Sequence, residues 1–90
     1  MLDYEITGSF NKDLELMQKR RKDMPKLRDV MSMLIQEIPL PPRCKNHHLH
    51  GKYKGKWECH VEPDWLLVYR IDKAANRIIF HRIGSHSDLY

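Results

Sequence analysis

Apolar residues change their spacing along this chain, and the change divides it into two halves. Phe10, Leu14 and Met17 stand four and three apart, and Leu27, Val30, Met31, Leu34, Ile35 and Ile38 repeat with the same period. Each set makes one face of an α-helix. Ser9 is placed to cap the first helix, and Pro25 suits the first turn of the second, where its missing N–H costs nothing. Pro39, Pro41 and Pro42 stop the second helix. Beyond them the apolar residues alternate or form short blocks, so Lys56 to Val61, Trp65 to Ile71 and Arg77 to Ile83 read as strands. Glu62-Pro63-Asp64 and the stretch Asp72 to Asn76 supply the turns between them. A short strand, Asp3 to Thr7, precedes the first helix, and Pro39 to Tyr53 reads as loop. The predicted fold is α+β: an N-terminal strand, two helices, then a three-strand antiparallel meander, joined in one four-stranded sheet with the helices on one face. The other face is left for a ligand.

Composition narrows the class. Hydrophobic residues make up 41% of the chain and charged residues 31%, which fits a folded chain rather than a disordered one. Ninety residues suffice for one core, so 1–90 reads as a single domain. No apolar run approaches the ~18 residues of a membrane span, and Asp3 and Glu5 make the start unlike a signal peptide. The chain reads as cytoplasmic, with no membrane partner. Two cysteines, Cys44 and Cys59, are too few for a disulfide framework, and that compartment argues against a bond between them. Cys59 falls in a strand and reads as a small buried hydrophobe.

Sixteen basic against twelve acidic residues give a net charge of +4, which favours an acidic partner such as nucleic acid. The run Lys19-Arg20-Arg21-Lys22 reads first as a solvated helix end, where cations suit the helix dipole, with phosphate contact as the rival. All six histidines lie in the second half: His47, His48, His50, His60, His81 and His86. Histidine changes charge near neutral pH, so the helical half reads as scaffold and the second half as a proton-handling site.

Strand alternation places that site. Lys56, Glu58 and His60 share one face of the first meander strand, while Trp57, Cys59 and Val61 face the helices. Asp64 follows at the turn, His86 emerges after the last strand, and His47 comes from the loop. Imidazoles beside carboxylates and cations suit RNA cleavage, in which a ribose 2′-hydroxyl loses a proton and the leaving 5′-oxygen gains one. Arg82 or Lys56 would stabilise charge building on the phosphate. The nucleophile is part of the substrate, so the reading calls for no metal and no cofactor. His60 and Asp64 are expected to act as a pair, with His86 as the general acid. His81, His48 and His50 read as structural or surface residues, and Trp57 and Trp65 as core.

Three segments carry a family resemblance: His47-His48-Leu49-His50-Gly51-Lys52-Tyr53-Lys54-Gly55; Glu58 to Tyr69, containing His60-Val61-Glu62-Pro63-Asp64-Trp65; and Arg82-Ile83-Gly84-Ser85-His86-Ser87-Asp88-Leu89-Tyr90. Together they resemble the YafQ branch of the RelE/ParE toxin superfamily, the toxin halves of bacterial type II toxin–antitoxin pairs. The resemblance implies a RelE-like fold and an endoribonuclease that cuts mRNA in the ribosomal A site, against the 30S subunit and its rRNA. It implies catalytic positions at His47, His60, Asp64 and His86, with Glu58 standing where the family has an aspartate. It implies RNA contact by Arg82 and by Tyr90, which replaces a family phenylalanine, and Lys54 and Lys56 join them as candidate RNA-binding cations. The expected partner is a ribbon-helix-helix antitoxin of the RelB/DinJ type, through which alone the complex would bind operator DNA.

Two other classes remain open at this point. A ParE-like relative acts by binding a protein, without cutting RNA. A non-catalytic nucleic-acid-binding module could hold zinc on His47, His48 and His50 with Cys44 or Cys59, although no paired metal-ligand spacing is present.

Overall fold

The computed structural model describes residues 1–90. In chain order it has β1 (Asp3–Ile6), α1 (Gly8–Lys19), α2 (Met24–Ile35), β2 (His47–His48), β3 (Trp57–Glu62), β4 (Trp65–Asp72), β5 (Arg77–Gly84) and α3 (His86–Leu89). Single turns of 3₁₀ helix at Pro42–Cys44 and Gly51–Tyr53 flank β2. The sheet has five strands in the order β1-β5-β4-β3-β2. β1 runs parallel to β5, with Asp3 opposite Arg77 and Ile6 opposite Phe80, and every other pairing is antiparallel.

The α+β class and the meander are as expected, but the sheet has one strand more than the four predicted. His47 pairs with Glu58 and His48 with Trp57 at the edge of β3. These two polar residues carry no apolar alternation, so only the pairing identifies them as a strand.

α1 ends at the basic run, as read, while α2 ends before its proline stop, and both close in the same way. Arg21 and Glu37 adopt positive φ of 58° and 60°. In each case the next amide reaches back to close the helix, Lys22 N–H to the Met17 carbonyl at 3.1 Å and Ile38 N–H to the Met33 carbonyl at 2.9 Å. Paired with the Arg21-to-Gln18 and Glu37-to-Leu34 bonds, these are Schellman closures. α2 therefore stops before its prolines, and Ile38 lies outside it, 44% exposed. The first cap also differs from expectation. Thr7, not Ser9, accepts the Phe10 amide at 3.1 Å, and its hydroxyl donates to the His81 carbonyl at 3.0 Å. That hydroxyl ties the start of α1 to β5. Asp23 caps α2 through the Lys26 amide, with Pro25 in the first turn.

Phe10, Met17, Leu27, Val30 and Leu34 pack on Cys59, Val61, Trp65, Leu67, Ile78, Phe80 and Ile83. Phe80 and Ile83 are three apart, which would put them on opposite faces of a regular strand. The register shifts between Val68–Arg82 and Tyr69–Phe80, leaving His81 as an extra residue, and this bulge returns Ile83 to the helix side. Both cysteines are buried and free, and burial pushes the Cys59 thiol up to about 12. Trp65 is buried, and Trp57 packs partly against the core.

The second face is less open than predicted. Leu66 and Val68 are buried there beneath Leu89 of α3, with Leu49 and Tyr53 packed alongside. Trp65 through Tyr69 are consequently all buried, which accounts for the unbroken apolar run of this central strand. No helix is long and apolar enough to cross a membrane.

Candidate active site

Two carboxylate–imidazole assemblies meet on the second face, beside the small cluster formed with Leu89. The first is centred on Glu58, in β3, whose side chain is 6% exposed. Its Oε1 lies 3.5 Å from His47 Nε2 and 3.7 Å from His60 Nε2, and its Oε2 accepts a hydrogen bond from the Tyr90 hydroxyl. Sheet geometry explains the convergence. The β2–β3 register sets His47 opposite Glu58, and the two-residue period sets His60 on the same face. Each imidazole uses Nδ1–H toward a carbonyl, His47 to Lys45 at 2.6 Å and His60 to Pro63 at 3.2 Å. Nε2 is thereby turned toward Glu58 in both rings.

The second assembly is Asp64 with His86. Asp64 Oδ1 accepts the His86 backbone amide at 2.9 Å and lies 2.6 Å from His86 Nδ1. These two contacts, the backbone one first, hold the Asp64 carboxyl below its usual range. The predicted pairing of Asp64 with His60 is thus corrected: Asp64 serves His86, and Glu58 serves His60. The reason is the turn, which carries Asp64 beyond the end of β3 toward the start of α3.

His86 is the first residue of a four-residue helix that could not stand alone. Ser85 caps it, accepting the Asp88 amide while Asp88 Oδ2 accepts the Ser85 amide at 2.8 Å. Arg20 grips Asp88 through both terminal nitrogens at 2.6 and 2.9 Å, and this ion pair holds the Asp88 carboxyl far below its usual range. Gly84 completes the fit, because a Cβ there would lie 2.8 Å from Asp88 Cβ. Sequence reasoning missed this support, although Ser85-x-x-Asp88 is a capping-box pattern readable in the chain.

The rings form a row. His47 and His60 centroids are 6.3 Å apart, His60 and His86 6.1 Å, and His86 and Tyr90 6.4 Å. Tyr53 meets Tyr90 edge-on at 5.5 Å and donates its hydroxyl to the Leu89 carbonyl at 3.2 Å. Burial, then the bond to Glu58, raises the Tyr90 phenol well above its usual value, so it remains a donor.

The candidate cations are spread more widely. Lys56 stands just before β3, and its ammonium lies 6.0 Å from the Tyr53 ring centre, with that of Lys52 at 5.5 Å. Both line a cleft of about 320 Å³ with Arg82 and His81. Arg82 is not free: Asp13 binds it at 2.7 and 3.1 Å and also accepts the Ile83 amide. Asp13 lies 69 residues away, and nothing in the sequence reading pointed to it. Lys54 is exposed in the turn before β3, outside the row of rings.

The remaining histidines stand apart from the row. His48 stacks on Trp57 at 3.7 Å, and His50 is exposed in the loop. His81 Nε2 is buried without a partner, and burial, then Lys56 and Arg70, lowers that ring's pKa. The zinc alternative finds no centre, since His48 is spent on Trp57 and both cysteines sit in the apolar core. No three His, Cys, Asp or Glu side chains converge as metal ligands.

A sheet face bearing imidazoles held by carboxylates, with tyrosines at one end and a cleft of basic side chains beyond them, defines an acid–base site for an anionic substrate. Residues 2–90 match the family described as the YafQ bacterial toxin of type II toxin–antitoxin systems, and the chain belongs to that family. It is 45% identical over 89 residues to the mRNA interferase toxin YafQ of Escherichia coli K12, covering 98% of this chain and 95% of that protein. A metal-bound toxin from Helicobacter pylori shares the fold with a TM-score of 0.94 at 43% identity, each chain covered in full. The E. coli DinJ–YafQ complex contains a chain matching at TM-score 0.91 and 43% identity, with 100% of this chain and 99% of that one covered.

Proposed function

We propose that this toxin cleaves mRNA in the ribosomal A site, by acid–base catalysis that uses the ribose 2′-hydroxyl as nucleophile. That it is an endoribonuclease rests on its identity to an mRNA interferase over nearly the whole chain. The observation that carries the mechanism is the pair of opposed assemblies, His60 on Glu58 and His86 on Asp64, with ring centres 6.1 Å apart. That spacing puts two proton-transfer groups of different orientation within reach of a single phosphodiester lying across them.

His60 Nε2 takes the 2′-hydroxyl proton, and the imidazolium so formed completes its ion pair with Glu58. The 2′-oxygen bonds to phosphorus as the bond to the 5′-oxygen breaks. His86, whose Nδ1–H is held by Asp64, delivers the proton from Nε2 to that leaving oxygen. The products are a 2′,3′-cyclic phosphate and a 5′-hydroxyl. His47 adds positive charge beside Glu58 when protonated, Arg82, Lys54 and Lys56 offset charge on the RNA backbone, and Tyr90 stacks beside the substrate. No metal or cofactor enters these steps, because the nucleophile comes with the RNA.

The similar DinJ–YafQ complex supports an antitoxin partner of the DinJ type. A ribbon-helix-helix antitoxin would cover the basic face and bind operator DNA, in the cytoplasm where mRNA and ribosomes are found. The test is cleavage mapping on programmed ribosomes with the wild type and His86→Ala. A positioned general acid contributes about 10²–10⁴-fold, so the variant should lose cleavage to that extent while melting normally. Undiminished cleavage would remove His86 from the mechanism.

A further inference from the structure

The basic run at the end of α1 has a role that the site above does not absorb. Lys22 is carried back toward the sheet by the left-handed turn at Arg21, into a cleft of about 400 Å³ between the α1–α2 corner and the β3–β4 turn. Lys26, Glu62, Trp65 and Ser85 line it, and so does Asp64, the carboxylate that holds His86. The cleft therefore opens directly beside the His86 assembly.

We propose that this cleft is a phosphate subsite for the RNA strand next to the cleaved bond, with Lys22 and Lys26 as its cations and Glu62 as a counter-charge that the phosphate replaces. The inference rests on the endonuclease reading above. Lys22 Nζ is 2.7 Å from one Glu62 oxygen and Lys26 Nζ 3.7 Å from the other, so a single carboxylate holds two ammonium groups. The Lys22 ammonium also lies 4.9 Å from the centre of the Trp65 ring, which fixes it over a buried surface. Both lysines remain partly exposed, at 30% and 43%. One carboxylate between two cations leaves that trio with a positive charge, the other lining carboxylate, Asp64, being bound to His86, and a phosphodiester matches Glu62 in charge and in acceptor oxygens. The position is suited to a strand. A scissile phosphate at His86 has this cleft on one side and, beyond Tyr90 and Tyr53, the cleft of Lys52, Lys56 and Arg82 on the other. Arg20 takes no part, being committed to Asp88. The run 19–22 thus divides: Arg20 braces the site, Lys22 enters the cleft, and Lys19 and Arg21 remain exposed.

The probe is a short single-stranded RNA with 2′-O-methyl riboses, which cannot be cut. In an NMR titration the Trp65 indole signal should move together with the His86 amide. Anisotropy titrations across a salt series should give K22Q/K26Q several-fold weaker binding, with a salt slope shallower by about 0.7 for one lost phosphate contact. E62Q should bind more tightly, because it frees both ammonium groups. A Trp65 signal that stays still, or K22Q/K26Q and E62Q both weakening binding alike, reduces the cluster to a brace between α1, α2 and β3 and overturns the subsite. Either result with His86→Ala still inactive on ribosomes leaves the endonuclease reading standing. Normal cleavage by His86→Ala would sink that reading instead.

Discussion

Glu58 and Asp64 each hold a histidine, yet the two carboxylates are built differently. The Glu58 side chain is 6% exposed, lies on a strand paired on both sides and touches three partners. Asp64 is 66% exposed at a turn, and its histidine is 57% exposed on a four-residue helix. Strand register sets His47 opposite Glu58 and His60 on the same face, and a carbonyl contact turns each ring toward the carboxylate. The second is aimed by a relay of polar contacts running from Arg20 through Asp88 and Ser85 to His86. Fold and site are inseparable in the first case and separable in the second.

Substitutions should expose that contrast. Glu58→Ala has the largest expected effect, because it removes the acceptor of the Tyr90 hydroxyl and the counter-charge of two imidazoles. Leaving such partners unsatisfied costs about 1–3 kcal/mol. For a chain of this size each kcal/mol lowers the melting temperature by roughly 4–8 °C, which calorimetry would detect, and cleavage should fall with it. A normal melt would mean that Glu58 is catalytic only, and would dissolve the comparison.

Asp64→Asn should leave the melt unchanged while reducing cleavage by less than the loss of His86 itself, and should alter the pH–rate profile on programmed ribosomes. An unaltered rate and profile would make Asp64 a turn residue. Arg20→Gln should act least, and through pH. Asp88 is depressed in the folded state, so its contribution is present above the ordinary aspartate value of about 4 and fades as pH falls through the folded value. The melting difference between wild type and Arg20→Gln should therefore be full at pH 7, begin to close below pH 4, and vanish in strong acid. A difference constant with pH would exclude the Asp88 clamp.

Legibility in the sequence followed the range of each interaction. The meander was readable because its strands and turns are local, and the faces of Cys59, Val61, Glu58 and His60 came straight from alternation. The helices were readable in period, and the first also in its end, but the second stops short of its prolines because the Schellman closure at Glu37 uses a residue with no glycine signature. β2 was missed because His47 and His48 become a strand only by pairing with Glu58 and Trp57. The partner of Asp64 was misassigned for the same reason: His60 is nearer in sequence, while His86 reaches it only after β5 and α3 are placed. Asp13 on Arg82 and Glu62 on Lys22 link residues 69 and 40 apart, beyond any local pattern.

The parallel pairing of β1 with β5 has a consequence for synthesis. Asp3 waits for Arg77 and Ile6 for Phe80, contacts among the most distant in the chain, and such closures are slow to form. His86 lies beyond that strand, on a helix that leans against β5 through Gly84 and on α1 through Arg20. A growing chain can make its helices early, but its sheet stays open at both the first strand and the last until residue 84 has appeared. The row of rings needs β3, β5 and α3 together, so it is completed only after the most distant pairing in the sheet has closed.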